Sequence, residues 1–178
     1  MTNTTNNTQS PIDSGQARWD VRSEILNWAN ITYRYHRKRQ WFFDLCDKVT
    51  QSASIVMGLS LFGKTVQDHL PYVGFSIACL GVMALVFTYA DRKQCHRELA
   101  DLSRELAGEI APIVDAQLTD KLITHWERIR TKIELREPPT LKTLAAKCEW
   151  EQACVEGHED IAKKLKVSPF AQLFMHFF

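Results

Sequence analysis

The sequence predicts an all-α membrane protein in which a two-helix transmembrane hairpin carries a cytoplasmic helical domain. Three observations predict it. Residues 71–90 read PYVGFSIACLGVMALVFTYA, an unbroken uncharged run; as a helix it rises roughly 30 Å, the thickness of a hydrocarbon core. A second uncharged stretch, VTQSASIVMGLSLFG, lies just upstream between Lys48 and Lys64. Elsewhere apolar residues recur at three- and four-residue spacing, with no strand-like alternation.

The average composition hides this division. Charged residues make up 24% of the 178 positions and the formal net charge is +1, figures that suit a soluble domain. Yet the charges are scattered through 17–48 and 91–166, and 72–90 has none. Basic and acidic residues number 22 and 21, so the strongly basic domain of a nucleic-acid binder is missing and no direct nucleic-acid partner is expected. Cys46, Cys79, Cys95, Cys148 and Cys154 are odd in number and widely spread, as expected of reduced thiols in a cytoplasmic setting.

Taken in order, residues 1–16 are polar and rich in Asn and Thr, without a basic or apolar signal region. A disordered leader and no cleaved signal peptide are expected. Over 17–48, Val21, Ile25, Trp28, Thr32, Tyr35, Phe42 and Cys46 mark an amphipathic helix, with Asp13 and Ser14 as candidate N-caps.

The hairpin is expected over 49–90, with spans at about 49–66 and 71–90. The first uncharged stretch alone rises only roughly 22 Å. It spans if Lys48 and Lys64 snorkel and the helix continues toward Asp68. Pro71 suits a first helical turn, and Tyr72 and Tyr89 sit where aromatic rings favour the membrane interface. Arg34, Arg37, Lys38, Arg39 and Lys48 precede the spans and Arg92, Lys93 and Arg97 follow them, whereas the connection KTVQDHL holds one lysine. By the positive-inside rule both termini face the cytoplasm.

Residues 91–178 read as a cytoplasmic helical region. Leu99, Leu102, Leu106, Ile110 and Ile113 extend the second span as a stalk until Pro112 disturbs it. Leu118, Leu122, Trp126, Ile129 and Ile133 mark the next helix, closed by Glu137-Pro138-Pro139. Thr140 is the expected N-cap of a helix carrying Leu141, Leu144, Ala145 and Cys148, with Gly157 at its end. A short helix over 159–166 follows. Pro169 then opens a Phe-rich tail, where Phe170, Leu173, Phe174, Phe177 and Phe178 form a stripe that protein or lipid must cover.

No GxSxG, HExxH, GxxxxGK[ST] or GxGxxG motif occurs, so no enzyme activity, catalytic group or cofactor is expected. Cys148, Cys154 and His158, with His176, match no standard zinc spacing; Cys148 reads as a core thiol and Cys154 as a residue near a helix end. His96, Glu98 and Asp101 read as a proton relay or as a solvated face with an Arg97–Asp101 pair. The basic, aromatic cluster 34–41 suits lipid headgroups, phosphate or a nucleotide, and equally suits plain topology determination.

Hydroxyls facing lipid are costly, so Ser52, Ser54 and Ser60 of the more polar first span are candidate pore-lining residues, with Thr50 and Gln51 at its entry. Gly58, Gly74, Ala78 and Gly81 are candidate packing notches, serving hairpin closure or contacts between subunits.

The order of an aromatic, basic helix RWDVRSEILNWANITYRYHRKRQWFFD, a two-span hairpin and a helix DRKQCHRELADLSRELAGEI resembles the SLATT family of two-transmembrane effector proteins. The resemblance covers about residues 17–135. It implies a non-enzymatic effector of bacterial anti-phage defence by abortive infection, seated in the inner membrane. There an operon-encoded regulator, linked to nucleotide signalling or a reverse transcriptase, triggers homo-oligomerisation into a pore. The family offers no catalytic residues to transfer and does not account for the tail after Ser168. Two other functions fit the organisation: a scaffold anchoring a cytoplasmic partner, and a holin-like lysis protein, for which the body beyond Arg92 is unusually large.

Overall fold

No proline interrupts residues 12–60, and in the computed structural model, which describes residues 11–60 and 70–176, they form one helix, α1, Pro11–Ser60. The segments expected as a helix over 17–48 and the start of a span are therefore continuous. Pro11 sits at the first position, where its missing N–H costs nothing and its fixed φ already suits a helix. Asp13 and Ser14 consequently fall inside the first turn rather than at the cap, and residues 11–16 of the expected leader are helical. The rest of that leader, the connection 64–69, the end of the first span, and Phe177 and Phe178 lie outside the described residues.

Every other regular element described is also helical. In order they are α2 (Leu70–Phe87), α3 (Tyr89–Ile110), a 3-10 turn (Asp115–Gln117), α4 (Asp120–Glu134), α5 (Lys142–Val155), α6 (Glu159–Leu165) and α7 (Pro169–Leu173). They divide into two compact units, one formed by Met1–Tyr35 with Leu99–Phe178, the other by His36–Glu98.

The first unit is built on the apolar periodicity of three helices. Ile25 and Ala29 of α1, Leu99, Leu106 and Ile110 of α3, and Trp126 and Ile133 of α4 form a buried core, with Leu118 beside them. A second cluster joins Tyr35 to Leu144 and Cys148 of α5. The helix ends are satisfied one by one. Pro112 stops α3, and the Arg22 guanidinium donates from Nη2 to the helix-end carbonyls of Ile110 at 3.0 Å and Ala111 at 3.1 Å. Thr119 Oγ1 caps α4 by accepting from the Leu122 N–H.

At α5 the cap is Leu141 rather than Thr140. The Leu141 N–H donates to the Tyr35 hydroxyl at 3.0 Å, so a tertiary contact replaces the local side-chain cap. Gly157 ends α5 as expected: its φ of +77° lets the His158 N–H reach Ala153 O and its own N–H reach Cys154 O, the two bonds of a Schellman motif.

Because Arg22 is nearly buried and serves two carbonyls, charged hydrogen bonds of this kind set the cost of its removal. Arg22→Met is expected to destabilise the first unit by about 1.5–3 kcal/mol, read as a lowered midpoint of chemical unfolding followed by circular dichroism.

In the second unit, α2 and α3 run on almost as one helix. The Thr88 N–H bonds to Ala84 O and the Arg92 N–H to Thr88 O. Thr88 nevertheless has a φ of +42°, a left-handed conformation that a β-branched residue adopts only at a cost of order 1–3 kcal/mol. Among the described residues, this helix is the one long and apolar enough to cross a membrane, and none of its apolar window is buried.

Candidate functional site

The foot of the second unit is built from the charged, aromatic end of α1 and the first turns of α3. Its centre is a pair of buried imidazoles. His36 Nδ1 lies 2.8 Å from His96 Nδ1, a hydrogen bond between residues sixty positions apart. The Phe43 ring stacks on His96 at 5.5 Å between centroids and 12° between planes. Arg39 lies over the Phe43 ring at 4.6 Å, within cation–π range. Burial, followed by His36, Arg39 and Arg92, holds the His96 imidazole down at about 3.

Around that pair sits an ionic clasp. Asp44 receives Lys48 at 2.7 Å and Lys93 at 3.2 Å, and Lys93 also approaches Asp47 at 4.0 Å. Hydrogen bonds from Lys48 and Lys93 hold the Asp44 carboxyl below its usual range. His96 is thus no solvated surface residue, while Glu98 and Asp101 are exposed. The proton-relay triple is not assembled.

The six basic residues flanking the spans have divergent positions. Arg34 donates to Gln152 Oε1 at 3.0 Å within the first unit. Arg37 is exposed and bonds Gln40 at 2.8 Å. Lys38 is half-buried, Arg39 covers the aromatic rings, Lys93 belongs to the clasp and Arg92 is exposed.

Along the end of α1, partial cover follows one stripe: Thr50, Ala53, Ser54, Met57 and Gly58. The opposite face carries Gln51 and Ser52 together with exposed Ile55, Val56 and Leu59. Ser54 Oγ donates to Thr50 O at 2.9 Å, so its polarity is satisfied within the helix. Ser52 and Ser54 thus lie on different faces; the side chain of Ser60 falls outside those described. On α2 the half-covered stripe is Val73, Ser76, Ile77, Leu80 and Ala84, whereas Gly74, Ala78 and Gly81 are exposed. A Cβ added at Gly58, Gly74 or Gly81 would meet nothing within 4 Å. Among the described residues, none of these glycines is needed for close approach inside the chain.

Among the described residues, no three of His, Cys, Asp and Glu are placed to hold a metal. Cys148 is buried, Cys154 is exposed, and His158 lies 3.7 Å from Glu156 on the surface. In the first unit a cleft floored by Leu102, Leu106, Ile129 and Ile133 is rimmed by Glu105, Glu109, His125 and Lys132. Glu109 and His125 approach one another at 3.8 Å across it.

Among the described residues, the fold is all-helical, with one helix long and apolar enough to cross a bilayer. Comparison with protein-family models, curated proteins and solved structures finds no match.

Proposed function

We propose that the protein is a membrane effector whose two spans form a hairpin in the bacterial inner membrane, both termini cytoplasmic, and whose copies assemble into a pore that depolarises it. The observation that carries this reading is the apolar surface of α2. Phe75 and Leu85 are 72% and 78% exposed, and Tyr72, Val82 and Val86 are exposed with them. Burying such side chains is worth roughly 1.5–3 kcal/mol each, so a bilayer is the solvent that accounts for them. The half-covered stripes on α1 and α2 support the hairpin.

Two helices cannot enclose a channel, so conduction requires several copies. The open notches at Gly74, Ala78 and Gly81 suit close helix packing between copies. The Gln51 and Ser52 side of α1 supplies the wet face. Service in anti-phage defence, with a regulator or nucleotide signal as trigger, rests on the resemblance of residues 17–135 to the SLATT effectors.

Expression of the full chain with its triggering system, while membrane potential is recorded, is expected to give depolarisation and growth arrest. Unchanged potential with inserted and triggered protein would refute the pore. One observation favours a scaffold as the second reading: Phe170 and Phe174 of the tail are exposed, their rings tilted against each other with centroids 5.3 Å apart. On that reading, removing 170–178 releases a bound partner without altering conductance.

A further inference from the structure

The His36–His96 contact is costly to build and does nothing for the pore as described above. Two imidazoles are buried against each other beneath the spans, and the Phe43 ring covers one of them. A separation of 2.8 Å between two Nδ1 atoms requires that one carry a hydrogen and the other keep its lone pair.

The charged groups acting on His96 are Arg39 from α1 and Arg92 from α3, both cations. The carboxylates of Asp44 and Asp47 are engaged by Lys48 and Lys93, and Glu98 accepts from Gln94 at 2.8 Å on the exposed side of α3. A proton added to the accepting nitrogen sets two N–H groups head to head. A proton added to the other nitrogen of His96 leaves a buried imidazolium facing the Arg39 and Arg92 guanidinium groups. Both outcomes favour parting and hydration of the rings.

We propose that the His36–His96 pair is a proton-operated latch, holding α1 to α3 at the foot of the spans and releasing them on acidification; it rests on the membrane-effector reading and supplies its regulation. Thr88, eight residues before His96 and strained at a φ of +42°, provides the pivot at which α2 can change direction once the latch parts.

The direction in pH follows from linkage. The His96 imidazole is depressed from 6.5 to about 3, so the stabilisation that depends on neutral His96 is complete above about 6.5 and is lost as pH falls toward about 3. The ratio of closed to open forms then drops by at most about tenfold for each pH unit in that window.

The test is hydrogen exchange of the full-length protein in liposomes of phosphatidylethanolamine and phosphatidylglycerol, from about pH 7.5 to about 4.5, corrected for the chemical exchange rate. Exchange over 36–47 and 92–98 is expected to accelerate on acidification while α4 stays constant. His96→Phe, which keeps the stack on Phe43, is expected to abolish the acceleration. Exchange that is flat in pH, or that rises equally in α4, overturns the latch, and the wild-type protein alone decides this should the variant not fold. Dye release from the same liposomes separates the two ideas. Acid-induced exchange upholds the latch whether or not dye escapes, and absence of release with the triggering system present refutes the pore; release with flat exchange refutes the latch alone.

Discussion

Replacing Trp126 with alanine is expected to cost about 3–5 kcal/mol, the largest loss of stability for any single truncation in the first unit. Trp126 is 1% exposed and sits in the core that joins α1, α3 and α4. Its removal loses the transfer energy of the indole and leaves a cavity that Ile25, Leu106 and Ile133 fill only in part. A whole domain is stable by only about 5–15 kcal/mol, so the variant should melt near working temperature. The measurement is the midpoint of chemical unfolding by circular dichroism, with Leu135→Ala as the control. Leu135 is exposed at the end of α4, and its truncation should move the midpoint by no more than about 0.5 kcal/mol.

The second large effect concerns insertion. Val82 lies near the middle of the uncharged run and is exposed on α2. Arginine there should raise the cost of membrane insertion by about 2.5–3.5 kcal/mol, roughly a hundredfold in the equilibrium between inserted and expelled forms. Alkaline extraction of membranes from expressing cells reads this directly. Val82→Arg is expected in the extract and Val82→Leu in the pellet; equal retention of both would count against α2 as a span.

Much of the fold is legible in the sequence because its signals are local. The run beginning at Pro71, the face of Leu118, Trp126 and Ile133, and the stop at Gly157 each depend on neighbours within a few turns. Contacts that bring distant segments together are not legible in this way. Arg34 looks like a lipid-facing cation, yet its partner Gln152 is 118 positions away. His36 stands in a cationic stretch and His96 on a charged helix, so each alone reads as surface; their pairing appears only when α1 and α3 lie side by side. Thr140 has the right chemistry for a cap, but the Tyr35 hydroxyl reaches the end of α5 first. Polarity alone marks the candidate pore residues in the sequence. Helical angle separates Ser52 from Ser54, and the Thr50 carbonyl already satisfies the latter.

The first unit is discontinuous, since Met1–Tyr35 and Leu99–Phe178 flank the whole of the second. Ile25 and Ala29 therefore emerge from the ribosome long before Leu99, Leu106 and Ile110, the residues they pack against. Until then the apolar face of the nascent α1 has no native partner. On the membrane reading, the translocon receives both spans in that interval. Biogenesis is thereby ordered, with lateral entry into lipid preceding closure of the cytoplasmic core, and a chain that fails to insert must close that core around a long apolar loop left in water.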